Sequence, residues 1–514
     1  MILALLLAAA PHAGNDEVAW IEASLEPPGE LLNAHFADVD LDGRDEIVLA
    51  VRTAEGSREL RIHRIFAQGV EPAPHRIVPV LDDAVAYGFA DVRPEAGREL
   101  LFLAKGGAWS LSLAREGYRG NLARLVELDL LFDVANPARL PVWEYVFPRA
   151  GGDWILLPGE TGYVVFGPSE AGYRRLASFP GLLAFSVDRN RHGRRSVTIG
   201  SGDLNAGKSA SVLPERFLSD ARTSSGEFLS LNRSYLAPAL LDLDGDGFLD
   251  LLVHDFLRDK LSIFSGAGEL GEAPDRVEYE PDYFPRGSVE LEFVDLDGDG
   301  DPDLIVREKR DYDGLENAEV ELLLLLNEGG RLLPEKPHQV LRFEAAELNV
   351  NLADVDGDGR PDLTVREFRM PSLLATASGL EFTLSYLVYR GQAGERPFER
   401  KPLLKQSETY DETTLEAVIK NRVWRMDFDG DGLADLVEVD LKGRITVRRT
   451  VRSRSFFGSG SWSLEATPWR RFETAGNIDE LEVRDLNGDG LGDIVSRGER
   501  ALTVLLSARK GGGK

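Results

Sequence analysis

Asp242, Asp244, Asp246 and Asp250 fall within nine residues of LLDLDGDGFLDLLV, with Gly247 at the sixth place. Four carboxylates this close repel one another unless a cation sits between them. The donors are all oxygen, with no thiolate or imidazole, so the pattern selects a hard cation, and Ca²⁺ fits best. The phrase recurs as Asp295, Asp297, Asp299, Asp303; as Asp354, Asp356, Asp358, Asp362; and as Asp427, Asp429, Asp431, Asp435. Asp485, Asn487, Asp489, Asp493 form a fifth copy, and Asp38, Asp40, Asp42, Glu46 a sixth near the N-terminus. Residues one, three and five of such a turn aim their side chains at one centre. Glycine at six admits a backbone that a Cβ would hinder, which turns the carbonyl of residue seven inward, and residue nine closes the shell. One Asp-rich turn is ordinary surface; six on one frame point to about six Ca²⁺ sites. An EF-hand shares the opening, but it ends in Glu at twelve between helices. Here position twelve is Val253, Val306, Val365 or Ser496, inside apolar runs of strand character; Glu438 stands there in one loop only.

The elements that must hold these loops are strands. Each loop follows an alternating segment such as LEFVD or LEVRD and precedes an apolar one such as LLV or LIV, with a further strand such as LSIFSG or ITVRRT beyond. VELLLLLN, from Val320 to Asn327, reads as a strand buried on both faces. The period of roughly 55 residues suits four short strands and their turns, one propeller blade. Weaker copies fill the early chain. Asp91 and Glu99 keep the frame with Arg93 and Glu95 between them; residues 142–159 keep only a strand–turn–strand outline; and Asp188, Asn190, His192, Gly193 and Ser196 form a degenerate loop. These three depart too far from the frame for a ligand role to be assigned to them.

The loops resemble FG-GAP/VCBS repeats, as in the integrin α-subunit propeller, and LSIFSGAGELG after the Asp242 loop resembles the segment that names them. The resemblance covers most of the chain beyond residue 30, weakly between about 80 and 200. It implies an all-β fold: a single β-propeller of four-stranded blades, with Ca²⁺ bound between neighbouring strands of each blade on one rim. It carries the ligand role onto the six sets above, with Glu46 and Asn487 as departures that remain oxygen donors. Nine frame heads near 38, 91, 147, 188, 242, 295, 354, 427 and 485 give a range of seven to nine blades. The short gap from 147 to 188 marks one of those two as an insertion, so eight blades are expected. VAWIEASL is expected to pair with the last blade and close the ring.

The chain has 514 residues, 52 glycines, 26 prolines, no cysteine and a formal net charge of −28. Disulfides, zinc–thiolate centres and a cysteine nucleophile are thereby excluded. The charge excludes nucleic acid as an electrostatic partner and suits a collector of cations. ILALLLAAA, residues 2–10, is too short to span a bilayer and stands where a secretory signal would. The expected organisation is a signal peptide over 1–13, the propeller over 14–508 and a disordered tail over 509–514, in a monomer without a transmembrane segment that is secreted, periplasmic or displayed at the cell surface.

Other motifs carry less. GDLNAGKS, from Gly202, matches a phosphate loop, but Pro214 stands where the required helix would run, so it is assigned to a solvent turn. The six histidines weighed as ligands (His35, His63, His75, His192, His254, His338) show no ligand spacing, and the calcium loops account for the paired carboxylates. Trp143, Trp154, Trp462 and Trp469 suit blade core or a sugar platform, and Asn232-Arg233-Ser234 matches a glycosylation acceptor. Helical periodicity is confined to EKPHQVLRF and DETTLEAVIKNRV. The long interval from Asp362 to Asp427 suggests a surface insertion, and SRSFFGSGSWS an exposed hairpin or loop. The resulting expectation is a calcium-stabilised interaction or adhesion scaffold that recognises an extracellular protein or glycan and has no catalytic residues. The alternative class is a propeller-type enzyme, such as a polysaccharide lyase or a lipid-cleaving hydrolase.

Overall fold

The strands that follow the acidic loops are apolar on both faces, and this dictates the architecture. In the computed structural model, strand Asp303–Arg310 pairs antiparallel with Val289–Val294 on one side and with Ala318–Leu325 on the other, and Gln339–Ala345 completes the sheet. Leu304 and Val306 pack with Leu323 and Leu325 in a cluster that includes Leu252, Leu261 and Ile263 of the preceding sheet. Ile305, Leu322 and Leu324 point the other way, into a cluster with Leu363, Val365 and Tyr389 of the following sheet. A period-two strand with no polar face must be covered twice. Each sheet is therefore sandwiched between two others, and each buried Leu or Val contributes about 1.5–3 kcal/mol.

The structure describes residues 18–509 apart from scattered interruptions, the longest at 200–214, 371–380, 412–418 and 454–460. Between 181 and 237 it describes the backbone only. Eight four-stranded antiparallel meanders form the blades of a β-propeller. They cover residues 30–79, 84–127, 146–180, 239–279, 289–345, 347–410, 419–473, and 480–509 joined by 18–25. Apolar clusters join every neighbouring pair, including the last blade to the first, where Val495, Val504 and Leu506 meet Ile47, Leu49 and Val51. Val18–Leu25 pairs with Leu502–Arg509, from Val18 opposite Arg509 to Leu25 opposite Leu502. The eight blades and the closing strand agree with the sequence expectation. The last strand runs one residue past the expected boundary at 508.

Two expectations need correction. Asp188 does not head a blade. It lies in the middle of strand Leu183–Asn190, opposite Ser196 and Ser230. That strand belongs to a ninth sheet over 183–235, whose strand order is not sequential. Blades three and four meet without it, with Phe179 and Phe264 ring centroids 4.4 Å apart, so this sheet is the insertion. Between Asp362 and Asp427 the described residues are blade strands and a turn closed by a Gly391–Phe398 bridge, and the remainder of the interval expected to hold a surface insertion, 371–380 and 412–418, lies outside the described residues. No described residue is helical: Gln339–Ala345 and Ile419–Trp424 are strands where helical periodicity was read. Tertiary burial against neighbouring blades overrides the local pattern. The ends of SRSFFGSGSWS pair antiparallel, Thr450–Ser453 with Ser461–Leu464, and residues 454–460 lie outside the described residues. The leader over 1–13, GDLNAGKS and residues 412–418 lie outside the described residues.

The closing strand also packs its aromatic side chain against the blade over 419–473. Trp20 lies 5.8 Å from Phe428, stacked, and 5.0 Å from Phe472. Trp20→Ala is expected to lower the unfolding free energy by about 3 kcal/mol. Urea unfolding followed by circular dichroism measures this, and an unchanged midpoint would show that docking of the closing strand on the neighbouring blade does not depend on this packing.

Candidate metal centre

In each blade bearing the motif, the nine-residue loop joins the first strand to the second. Because every blade is a meander of the same polarity, all six loops lie on the same rim. The ninth residue is the start of the second strand or the residue just before it, and it is buried: Glu46 is 6% exposed, Asp250 3%, Asp303 1%, and Asp362, Asp435 and Asp493 0%. One oxygen of each accepts the backbone N–H of position two (Val39, Leu243, Leu296, Val355, Phe428 or Leu486) at 2.7–3.1 Å. In the five loops ending in Asp, the other oxygen accepts a backbone N–H at 2.6–3.0 Å, from Gly266, Asn327, Gly391 or Thr450 just past the third strand, or from Ser507 within it. Position nine is therefore a clasp between loop and sheet, as well as the last candidate donor.

The earlier positions organise the turn. The first aspartate accepts the N–H of the sixth-place glycine in all six loops at 2.7–3.0 Å. The fifth accepts the N–H of position seven at 2.8–3.1 Å. The sixth-place glycines have φ between 82° and 97°. Position four was missed in the sequence: Gly245, Gly298, Gly357, Gly430 and Gly488 also have positive φ, from 70° to 81°. The signal was the doubled glycine of D-G-D-G. In the first loop this place is Leu41, exposed, with φ 62°. A left-handed conformation costs a branched side chain about 1–2 kcal/mol, partly offset by the entropy glycine loses on folding. Leu41→Gly is expected to stabilise the protein by about 0.5–1 kcal/mol in chemical denaturation; a destabilisation would contradict the strain argument.

The carboxylates converge as a cation site requires. One oxygen from each of Asp38, Asp40 and Asp42 lies within 4.8 Å of the others, and the same holds for Asp242, Asp244, Asp246 and for Asp295, Asp297, Asp299. In two loops the converging set is positions one, three and nine: Asp354, Asp356, Asp362 and Asp427, Asp429, Asp435. Burial, reinforced by neighbouring carboxylates, pushes Asp303, Asp362 and Asp493 up to about 7 against the pull of their backbone N–H donors, and does the same to Glu46. Asp435 is raised by the same causes. Such clusters fit a divalent cation, which would stabilise the ionised form that burial and crowding oppose.

The degenerate loops use other means. Glu99 accepts the N–H groups of Val92 and Arg93 at 3.0 Å, so the clasp survives. Arg93, at position three, donates to Ser110 and Asn121. In the third blade Asp153 takes the clasp's place, accepting the N–H of Asp91 at 2.8 Å and of Arg149 at 3.2 Å. His35, His63, His254 and His338 lie apart, each with its own neighbours: Phe89 beside His35, and Glu71, Glu280 and Leu326 bonded to the others. Trp143 is core, bonded to the Leu156 carbonyl, while guanidinium groups cover the rings of Trp154, Trp462 and Trp469. No helix among the described residues is long and apolar enough to cross a membrane.

Carboxyls raised in the folded state bind protons that the unfolded chain has released, so their stabilising contribution is present below the unfolded values near 4 and is lost as pH rises through about 7. In excess chelator, stability is expected to fall as pH rises from 5 to 8, and added calcium is expected to remove that fall. A chelated protein equally stable at both pH values would contradict the clustering.

Residues 242–306 and 295–365 each match the FG-GAP-like repeat family. These matches span the Asp242, Asp295 and Asp354 loops and the strands between them. None of the curated proteins compared with the chain matches it. Two such repeats within an eight-bladed propeller are consistent with an FG-GAP repeat protein.

Proposed function

We propose that this chain of FG-GAP-like repeats is an exported, calcium-stabilised propeller that serves as a non-catalytic scaffold for recognition of an extracellular protein or glycan. The observation that carries the reading is the set of six oxygen-only loops on one rim, each built on the same nine-residue frame. The side chains at positions one, three, five and nine would hold the ion in each loop. Bound calcium supplies positive charge where the acidic groups of a loop converge. The chain's own contribution is to preorganise those groups: the first aspartate fixes the turn through the sixth-place N–H, and the ninth ties it to the sheet.

A rigid ring suits recognition, because the rim loops and the outer strands can vary without disturbing the blade core. The acidic surface favours partners that are neutral, basic or bridged by calcium. The apolar leader over residues 2–10 supports export. Extracellular calcium, commonly near millimolar, suits modules of modest affinity.

Equilibrium dialysis of the full chain against calcium is expected to show about six sites per molecule. Asp242→Asn with Asp246→Asn is expected to remove one of them. A chain that retains no calcium at millimolar concentration would overturn the metal reading. An array of glycans and secreted ectodomains, probed with calcium and with chelator, tests the scaffold reading. Calcium-dependent capture by a defined partner supports it, and turnover of an arrayed glycan or lipid would replace it with the enzyme class.

A further inference from the structure

Position three divides the loops in a way the motif does not show. In the Asp354 loop, the Arg390 guanidinium binds Asp356 through both Nε and Nη2, and the Asp356 side chain is fully buried. In the Asp427 loop, Arg449 Nη1 lies 3.5 Å from Asp429, while Nε and Nη2 hold Glu465 at 3.0 and 2.6 Å. The two arginines occupy the same place in their blades. Each directly precedes the residue, Gly391 or Thr450, whose N–H clasps the ninth carboxylate. These are also the two loops whose converging oxygens come from positions one, three and nine, rather than one, three and five. The third carboxylate has swung inward to meet the arginine.

Elsewhere that place carries no such clamp. Before Gly266 and Asn327, the clasp donors of the Asp242 and Asp295 loops, stand the uncharged Ser265 and Leu326. In the first blade Arg64 reaches only to 3.8 Å from Asp40 and is 41% exposed, a solvent-screened pair of little strength. The Asp485 loop makes the link without charge, as Asn487 Nδ2 donates to the Ser507 carbonyl at 2.7 Å. The degenerate second blade reverses it: Arg93 occupies position three itself and bonds Ser110, in the third strand.

We infer that Arg390 and Arg449 are built-in counter-cations that hold the third carboxylate of their loops, so that calcium enters the Asp354 and Asp427 loops only by displacing a guanidinium. Four of the six loops then fall into two classes. The Asp242 and Asp295 loops, where no arginine precedes the clasp donor to hold the third carboxylate, fill first. The two arginine-held loops fill at calcium concentrations about tenfold higher or more, since a partly buried, charge-assisted pair must be broken first. Blades six and seven keep their rim ordered without metal, and blades four and five depend on it. This inference rests on the calcium reading above.

The test uses the full chain with Arg390→Met and Arg449→Met, each of which keeps an apolar stem and removes the charge. Glu465→Gln is the control, because it breaks the outer contact of Arg449 alone. Calcium isotherms from equilibrium dialysis are compared with melting midpoints in chelator and in calcium. The wild-type isotherm is expected to be biphasic. Each arginine variant is expected to shift one site about tenfold toward the tight class, to melt lower in chelator, and to recover in calcium, with Glu465→Gln leaving the isotherm unchanged. Should Arg449→Met fail to fold, Arg390→Met decides alone. Six equivalent sites with variant isotherms unchanged would overturn this inference and leave the calcium reading intact. A wild-type chain that binds no calcium would overturn both.

Discussion

One buried carboxylate per motif-bearing blade ties the rim to the sheet, and the geometry of the acidic loops depends on it. In five blades the ninth-position aspartate binds the loop with one oxygen and the third strand, or the residues just past it, with the other. Without this bond the loop would have no fixed relation to the blade, and the carboxylates at positions one, three and five would not converge. The bond has an electrostatic cost, because it places a charge in a desolvated site beside other charges of the same sign. Two backbone N–H groups offset part of that cost, and a divalent cation would offset the rest. The fold thus concentrates negative charge at one rim and fixes its shape, as a calcium site demands.

Beneath the rim, the ring follows from strands that have no polar face. Leu304 and Val306 turn toward one neighbouring blade and Ile305 toward the other, so no blade can stand alone. Val18–Leu25 supplies the fourth strand of the last blade, and the interface of the first and last blades is as apolar as the others. The degenerate early blades show that the clasp can outlast the full acidic set: Glu99 retains its role while arginine occupies position three, and Asp153 supplies an equivalent from a shorter turn.

Much of this was legible in the sequence. The acidic frame located the loops, the both-face apolar run at 320–327 identified a central strand, and the leading strand was placed at the seam. What was not legible has physical reasons. The clasp's second donor is a backbone N–H, which any residue supplies, so Gly266, Asn327, Gly391, Thr450 and Ser507 share no side-chain signature. Arg390 and Arg449 acquire meaning only once the end of the third strand is known. Asp188 resembled a frame head because a hairpin also alternates, and only its pairing with Ser196 and Ser230 shows that it lies within a strand. The fourth-place glycines were visible but unread, and Leu41 shows that the turn forms without one, at a cost in strain.

The central claim is that a divalent cation completes the rim and thereby stabilises the ring. Differential scanning calorimetry of the full chain at neutral pH, in excess chelator and again in millimolar calcium, tests it most directly. The account predicts a large upward shift of the melting midpoint in calcium, reversed by chelator and not reproduced by magnesium, whose octahedral preference the loops do not meet. A melting midpoint that is the same with calcium and with chelator would contradict it.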